Sequence, residues 1–147
     1  MNEQTILLVE DNPGDEGLTL RSLKRSNIMN RVVVTRDGPD ALDYLFARGA
    51  YAGRDATEEP QIVLLDLNLP KVNVLEVLRA IRADEKTRLL LVIILTSSKE
   101  DKDLIAGYAS GANSYVVKPV DFNQFSEAVR QLGLYWLLIN QQAPNAR

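Results

Sequence analysis

Three acids, a threonine and a lysine stand at the ends of apolar runs in this sequence, where side chains of those types could share one task. Glu10 closes "TILLVE" (5–10) and Asp11 follows it; Asp66 closes "IVLLD"; Thr96 closes "LLLVIILT" (89–96); Lys118 closes "SYVVK" (114–118). Three carboxylates meeting in one cleft repel and raise one another's pKa, and a divalent cation relieves that. The chain has no cysteine and no histidine, so any metal is held by oxygen. Magnesium (Mg2+) takes few protein carboxylates, keeps waters and accepts phosphate oxygens; Mn2+ or Ca2+ could substitute. Beside such an ion Asp66 is a nucleophile for a phosphoryl group, giving an acyl phosphate. The phosphoryl charge must be spread and neutralised. Lys118 supplies a cation, Thr96 a hydroxyl donor, and the backbone carbonyl of Asn68 a further candidate metal ligand.

Taken singly, each residue has a plainer reading. An acidic pair after a strand serves as a turn or helix cap, and an aspartate at a strand end serves as a cap. Thr96 with Ser97 and Ser98 is a helix-start signal. Lys118 alone is a solvated charge and Pro119 alone a stop. The joint reading gains weight only if the fold gathers these residues at one edge.

The elements that must do the gathering alternate along the chain. "TILLVE" reads as a strand. "DEGLTLRSLKRSN" then sets Leu18, Leu20 and Leu23 among polar residues, as a helix does. "RVVVTR" (31–36) is a second strand, ended by Gly38 and Pro39. "PDALDYLFAR" (39–48) spaces Ala41, Leu42, Leu45 and Phe46 at helical intervals. "RGAYAGRDATEE" (48–59) is a long polar connection, expected to be an exposed excursion. "IVLLDL" (62–67) is the third strand. "NVLEVLRAIRAD" (73–84) turns Leu75, Leu78 and Ile81 to one face; Arg79 and Arg82, with Arg88, read as a solvated one. Runs 89–96 and 114–118 are the last strands. Residues 121–140 form a long final helix with Asp121 as its N-cap. Five strand–helix pairs imply a parallel sheet covered on both faces, with sites outside the carboxyl ends of the strands. That places Glu10, Asp11, Asp66, Thr96 and Lys118 at one sheet edge.

Composition bounds the alternatives. The 147 residues suffice for one domain, and 46% apolar residues supply a core. A net charge of −3 is a poor match for non-specific nucleic-acid binding. The absence of cysteine excludes disulfides, thiolate zinc sites and cysteine nucleophiles. The absence of histidine removes the commonest general base and the Ser-His-Asp triad. No G-x-x-x-x-G-K-[ST] loop is present. "MNEQ" does not lead into a signal peptide, and no apolar run approaches the roughly 20 residues that span a bilayer. A soluble, cytoplasmic protein is expected.

Over nearly its whole length the sequence resembles the receiver domain of two-component response regulators, through "LLVEDNPGD", "LLDLNLPK", "IILTSS", "GANSYVVKP" and the final helix. The resemblance implies an α/β fold: a flavodoxin-like (βα)5 doubly wound parallel sheet of strand order 2-1-3-4-5. It implies a single receiver domain over residues 1–147, with a core of about 4–140 and a short tail 141–147. Residue by residue, it makes Asp66 the phosphoacceptor, loaded by a sensor histidine kinase. Glu10, Asp11 and Asp66, with the Asn68 carbonyl, hold Mg2+. Thr96 and Lys118 contact the phosphoryl group. Lys118–Pro119 is expected to be a cis peptide. Tyr115 occupies an aromatic switch position and turns inward when Thr96 is drawn to the phosphate. One position departs from the pattern: where the family usually has glycine, eight residues after the acceptor, this chain has Asn73-Val74. If the loop needs a positive φ there, a β-branched residue is strained. The long 48–60 connection and "LGLYWLLINQQAP" look, more narrowly, like the stand-alone response regulators that partner phytochrome kinases.

Past the final helix only "QQAPNAR" is left, so the expected output is a changed surface and not a DNA-binding or enzymatic domain. A phosphoryl group adds about −1.5 to −2 charge. Its arrival would shift a population of states at the face of the fourth helix, fifth strand and fifth helix. "LYWLLI" (134–139) is apolar beyond what one buried helix face needs. Either the helix end is well buried, or it forms an isologous contact in a homodimer, with Tyr135, Trp136 and Leu137 as anchors. Two rival readings remain. A magnesium-dependent phosphatase working through an aspartyl phosphate typically carries a second aspartate where this chain has Asn68. A dimerisation module without chemistry would not need the full set of five. The expectation is a signalling protein with only self-phosphorylation and self-dephosphorylation chemistry, with no membrane or direct DNA contact.

Overall fold

A computed structural model describes residues 5–25, 31–55, 58–67, 74–97 and 111–131. Strands β1 (Ile6–Val9), β2 (Val32–Thr35), β3 (Ile62–Asp66), β4 (Leu91–Thr96) and β5 (Ser114–Val117) form one sheet in the order β2-β1-β3-β4-β5. Every pairing is parallel, in registers such as Ile6 with Val32 and Ile62, and Asp66 with Leu95. Helices α1 (Pro13–Arg25), α2 (Gly38–Leu45), α3 (Val74–Ala83) and a C-terminal helix (Phe122–Gln131) flank it.

The alternation of side chains along each strand divides the core in two. Leu7, Val9, Val63, Leu65, Val92 and Ile94 pack under α2 and α3, against Ala41, Leu45, Val77 and Ile81. Ile6, Leu8, Leu64, Ile93, Leu95 and Val116 pack on the other face, against Leu23 of α1 and Phe125 and Ala128 of the C-terminal helix. Both faces being covered, the central strands are apolar throughout.

The helices start on side-chain caps. Asn12 Oδ1 accepts from the Asp15 N–H at 2.9 Å, with Pro13 as first helical residue. Asp37 Oδ1 accepts from the Asp40 N–H at 2.8 Å, and Asp121 Oδ1 from the Gln124 N–H at 2.9 Å. The last of these pairs, with the Gln124 side chain, holds the Asp121 carboxyl below its ordinary value.

Two sequence expectations change, the start of the fourth strand and the setting of Arg82, while the expected helix α1 and the exposed connection after α2 gain detail. Leu18 is 45% exposed, whereas Leu23 is buried with Thr19; residues two apart on a helix point away from each other, and those four apart share a face. Strand β4 begins at Leu91, and Leu89 is 80% exposed. The polar connection after α2 is exposed at most of its described positions, as expected, and is also tied back to α2. Arg54 lies over the Tyr44 ring at 4.2 Å and donates to the carbonyls of Tyr44, Leu45 and Glu58. Tyr51 packs edge-on against Tyr44 and donates to Asp40 at 2.9 Å. Finally, Arg82 is not part of a solvated face. Its guanidinium donates to the carbonyls of Arg88, Leu90 and Gly111 and to Asn113 Oδ1, tying the starts of β4 and β5 to the end of α3. Arg79 and Arg88 are exposed.

Val74 opens α3 and is 4% exposed; among the described residues Ala47 is the non-glycine with positive φ, so Val74 carries no such strain. Its side chain belongs to the core beneath α3.

Candidate functional site

In a parallel sheet every strand delivers its last residue to the same edge. Asp66 is the last residue of β3 and Thr96 of β4, while Glu10 and Lys118 directly follow β1 and β5. Backbone bonds prolong the ladder past the strands: the Glu10 N–H donates to Thr35 O at 2.9 Å, the Leu67 N–H to Leu95 O at 2.9 Å, and the Lys118 N–H to Thr96 O at 2.7 Å. These bonds fix the roots of the side chains that meet there. Glu10, Asp66 and Thr96 are buried; Asp11 is exposed at the rim.

Glu10, Asp11 and Asp66 each offer a carboxylate oxygen, and these oxygens lie within 4.8 Å of one another. Lys118 reaches into the same space, its side chain 14% exposed. Its Nζ is 3.1 Å from Asp66 Oδ1, 3.3 Å from Glu10 Oε1 and 2.9 Å from Asp15 Oδ2. Burial opposes the ammonium charge, but the hydrogen bond to Asp15, the charge and hydrogen bond of Asp66 and the charge of Glu10 outweigh it. The lysine pKa is therefore raised. Burial pushes the Glu10 carboxyl up to about 7, and the hydrogen bond and charge of Asp66 push the same way; Lys118 and the Asn12 N–H work against them.

Among the described residues, Oε1 of Glu10 is buried and makes no directed hydrogen bond; Lys118 faces it as a charge. A buried, orphaned acceptor beside two further carboxylates fits a hard divalent cation, which takes oxygen ligands and replaces the missing donor. Among the described residues four acids stand around one ammonium, a net negative balance that favours the same ligand.

The peptide bond from Lys118 to Pro119 is cis. Tyr115 is half-buried on β5, against the core under α2 and α3. Asn68, Tyr135, Trp136 and Leu137 lie outside the described residues, as do the segment 98–110 and the helix end expected at 132–140.

Two site residues escape a reading of the sequence. Asp15 contacts Lys118 from the first turn of α1; the clue is an aspartate on the helix that begins directly below the site. Gln124 clamps the edge of β5: its Oε1 accepts from the Val117 N–H at 2.8 Å, and its Nε2 donates to Val117 O at 2.9 Å. A side-chain amide there imitates a neighbouring strand next to Lys118 and blunts the open edge. Nothing in the sequence marks that pairing.

Comparison with known proteins gives a consistent picture. The family described as "Response regulator receiver domain" matches residues 6–130. The probable methanogenesis regulatory protein FilR2 of Methanothrix harundinacea (strain 6Ac) is 42% identical over 132 residues, covering 90% of this chain and 83% of the relative. The solved structure of the bacteriophytochrome response regulator AtBRR is 49% identical, with a TM-score of 0.85, covering 92% of this chain and 96% of that one. Response regulator Rcp1 of Synechocystis sp. (strain ATCC 27184 / PCC 6803 / Kazusa) is 34% identical, covering 91% of this chain and 89% of the relative. Its Mn(2+)-bound form has been solved; that structure has a TM-score of 0.71 and covers 91% of this chain and 94% of its own.

Proposed function

The chain belongs to the response regulator receiver domain family, and from that premise we propose that it is a stand-alone receiver, residues 1–147, phosphorylated on Asp66 by a sensor histidine kinase of the phytochrome type. The observation that carries the reading is the buried Asp66 carboxylate, 3.1 Å from the Lys118 ammonium and grouped with Glu10 and Asp11 at the carboxyl edge of the sheet. The likeness to AtBRR supports the phytochrome assignment.

In the proposed transfer, an Asp66 oxygen attacks phosphorus of a phosphohistidine on the kinase. The P–O bond forms as the P–N bond breaks, and the imidazole leaves with its electron pair and takes up a proton. Glu10, Asp11 and Asp66, with the Asn68 carbonyl, would hold Mg2+, which when bound neutralises phosphoryl oxygens. Lys118 pairs with a phosphoryl oxygen, and the Thr96 hydroxyl donates to another. With Thr96 drawn in, Tyr115 carries the change to the face expected of the fourth helix, fifth strand and fifth helix. A homodimer through Tyr135, Trp136 and Leu137 would read that face, in the cytoplasm and without DNA contact by this chain. Among the described residues no helix is long and apolar enough to cross a membrane. The work of the protein is signalling, with turnover limited to its own acyl phosphate.

Incubation with acetyl phosphate and Mg2+ should add one phosphoryl group to the wild type and none to Asp66→Asn, read by intact mass. Equal labelling of both would remove Asp66 as acceptor. Rapid release of phosphate from small phosphomonoesters would favour the phosphatase instead.

A further inference from the structure

Lys118 is a shared cation. Asp66 and Glu10 hold it from inside the site at 3.1 and 3.3 Å, but its shortest contact, 2.9 Å, is to Asp15. The Asp15 side chain is 37% exposed where that of Glu10 is 0%, so it draws the ammonium toward the rim. The position of Asp15 does not depend on the lysine: its N–H is held by Asn12 Oδ1 in the cap of α1. Nor does it belong to the three acids grouped for a cation.

Resting on the phosphoacceptor reading above, we infer that Asp15 is a positioning residue for Lys118: it competes with Asp66 for the ammonium and so tunes the site toward the cation and against the phosphoryl group. The argument is electrostatic. A dication gains from the added negative charge and from an ammonium held aside. A phosphoryl group, or its mimic beryllofluoride, meets the same carboxylate as a repulsion and as a rival for its lysine. Removing the charge therefore moves the two affinities in opposite directions. Lost packing or partial unfolding would weaken both.

The test uses the full chain as wild type, Asp15→Asn and Asp15→Glu. Calorimetric titration reads the Kd for Mg2+ and, at saturating Mg2+, the Kd for beryllofluoride. Asp15→Asn should weaken Mg2+ binding about fivefold and tighten beryllofluoride binding about fivefold, the scale of one unit charge acting across a solvated site. Asp15→Glu, which keeps the charge, should lie near the wild type in both. Both affinities falling together, through misfolding included, would overturn the inference, as would no change in either or an Asp15→Glu variant that behaves like Asp15→Asn. A wild type that binds neither ligand would overturn the phosphoacceptor reading and this inference with it.

Discussion

Replacing Lys118 with methionine removes the ammonium that, among the described residues, faces the buried carboxylates, while keeping much of the side-chain volume. The side chains of Glu10 and Asp66 are 0% and 3% exposed, and the lysine contacts them at 3.3 and 3.1 Å. Breaking a buried charge cluster from one side costs about 3–5 kcal/mol, because the remaining charge is left uncompensated. Glu10 limits that cost: its carboxyl already titrates near 7, so in the variant it takes a proton sooner than it stays charged. We therefore expect the lower end, about 3 kcal/mol, at pH 8 with a chelator present. A divalent cation supplies the missing positive charge, so Lys118→Met should bind Mg2+ more tightly than the wild type. In saturating Mg2+ the stability gap should shrink below about 1 kcal/mol by linkage. Urea unfolding at pH 8, with and without Mg2+, reads both numbers from the midpoints at constant slope. A gap unchanged by Mg2+ would refute the reasoning, since the lysine and the cation would then not be compensating the same carboxylates.

Other consequences follow from the same contacts. Without metal, the folded chain holds the Glu10 proton up to about pH 7, whereas the unfolded chain releases it near 4.5. Stability contributed by this group is thus present below pH 4.5 and lost as pH rises through 7, by up to about 3 kcal/mol; saturating Mg2+ should flatten that slope in urea titrations. Arg82→Lys should cost about 2 kcal/mol, because an ammonium cannot reproduce a fork that serves four acceptors. Its Mg2+ affinity should stay at the wild-type value, since Arg82 works at the sheet edge opposite the site. Arg79→Lys, at an exposed position of the same helix, should leave stability unchanged in the same melts.

The sheet was legible because a strand covered on both faces needs a continuous apolar run, and Glu10, Asp66 and Lys118 interrupt such runs where the strands end. The flavodoxin-like order 2-1-3-4-5, implied by resemblance, agrees with the observed pairing. Helix faces were less legible: Leu18 and Leu20 are both apolar, yet two residues of helix separate their directions too far for one face. The arginines were least legible of all. Arg82 and Arg54 spend their donors on backbone carbonyls, which every residue possesses, so no partner type stands in the sequence to give the pairing away. Asp15 illustrates the same limit at the site. Its contact with Lys118 spans 103 positions and arises only once α1 begins beneath the edge where β5 ends.

The account rests on Asp66 carrying a mixed anhydride in the field of Lys118 and a cation. Borohydride reduces an acyl phosphate to the alcohol, which converts a phosphorylated aspartate to homoserine. After treatment with acetyl phosphate and Mg2+, then borohydride, peptide mass mapping should find homoserine at position 66. The signal should vanish with a chelator and be strongly reduced in Lys118→Met. Homoserine at another position, or a phosphoryl group that survives reduction on Thr96 or Ser97, would contradict the account.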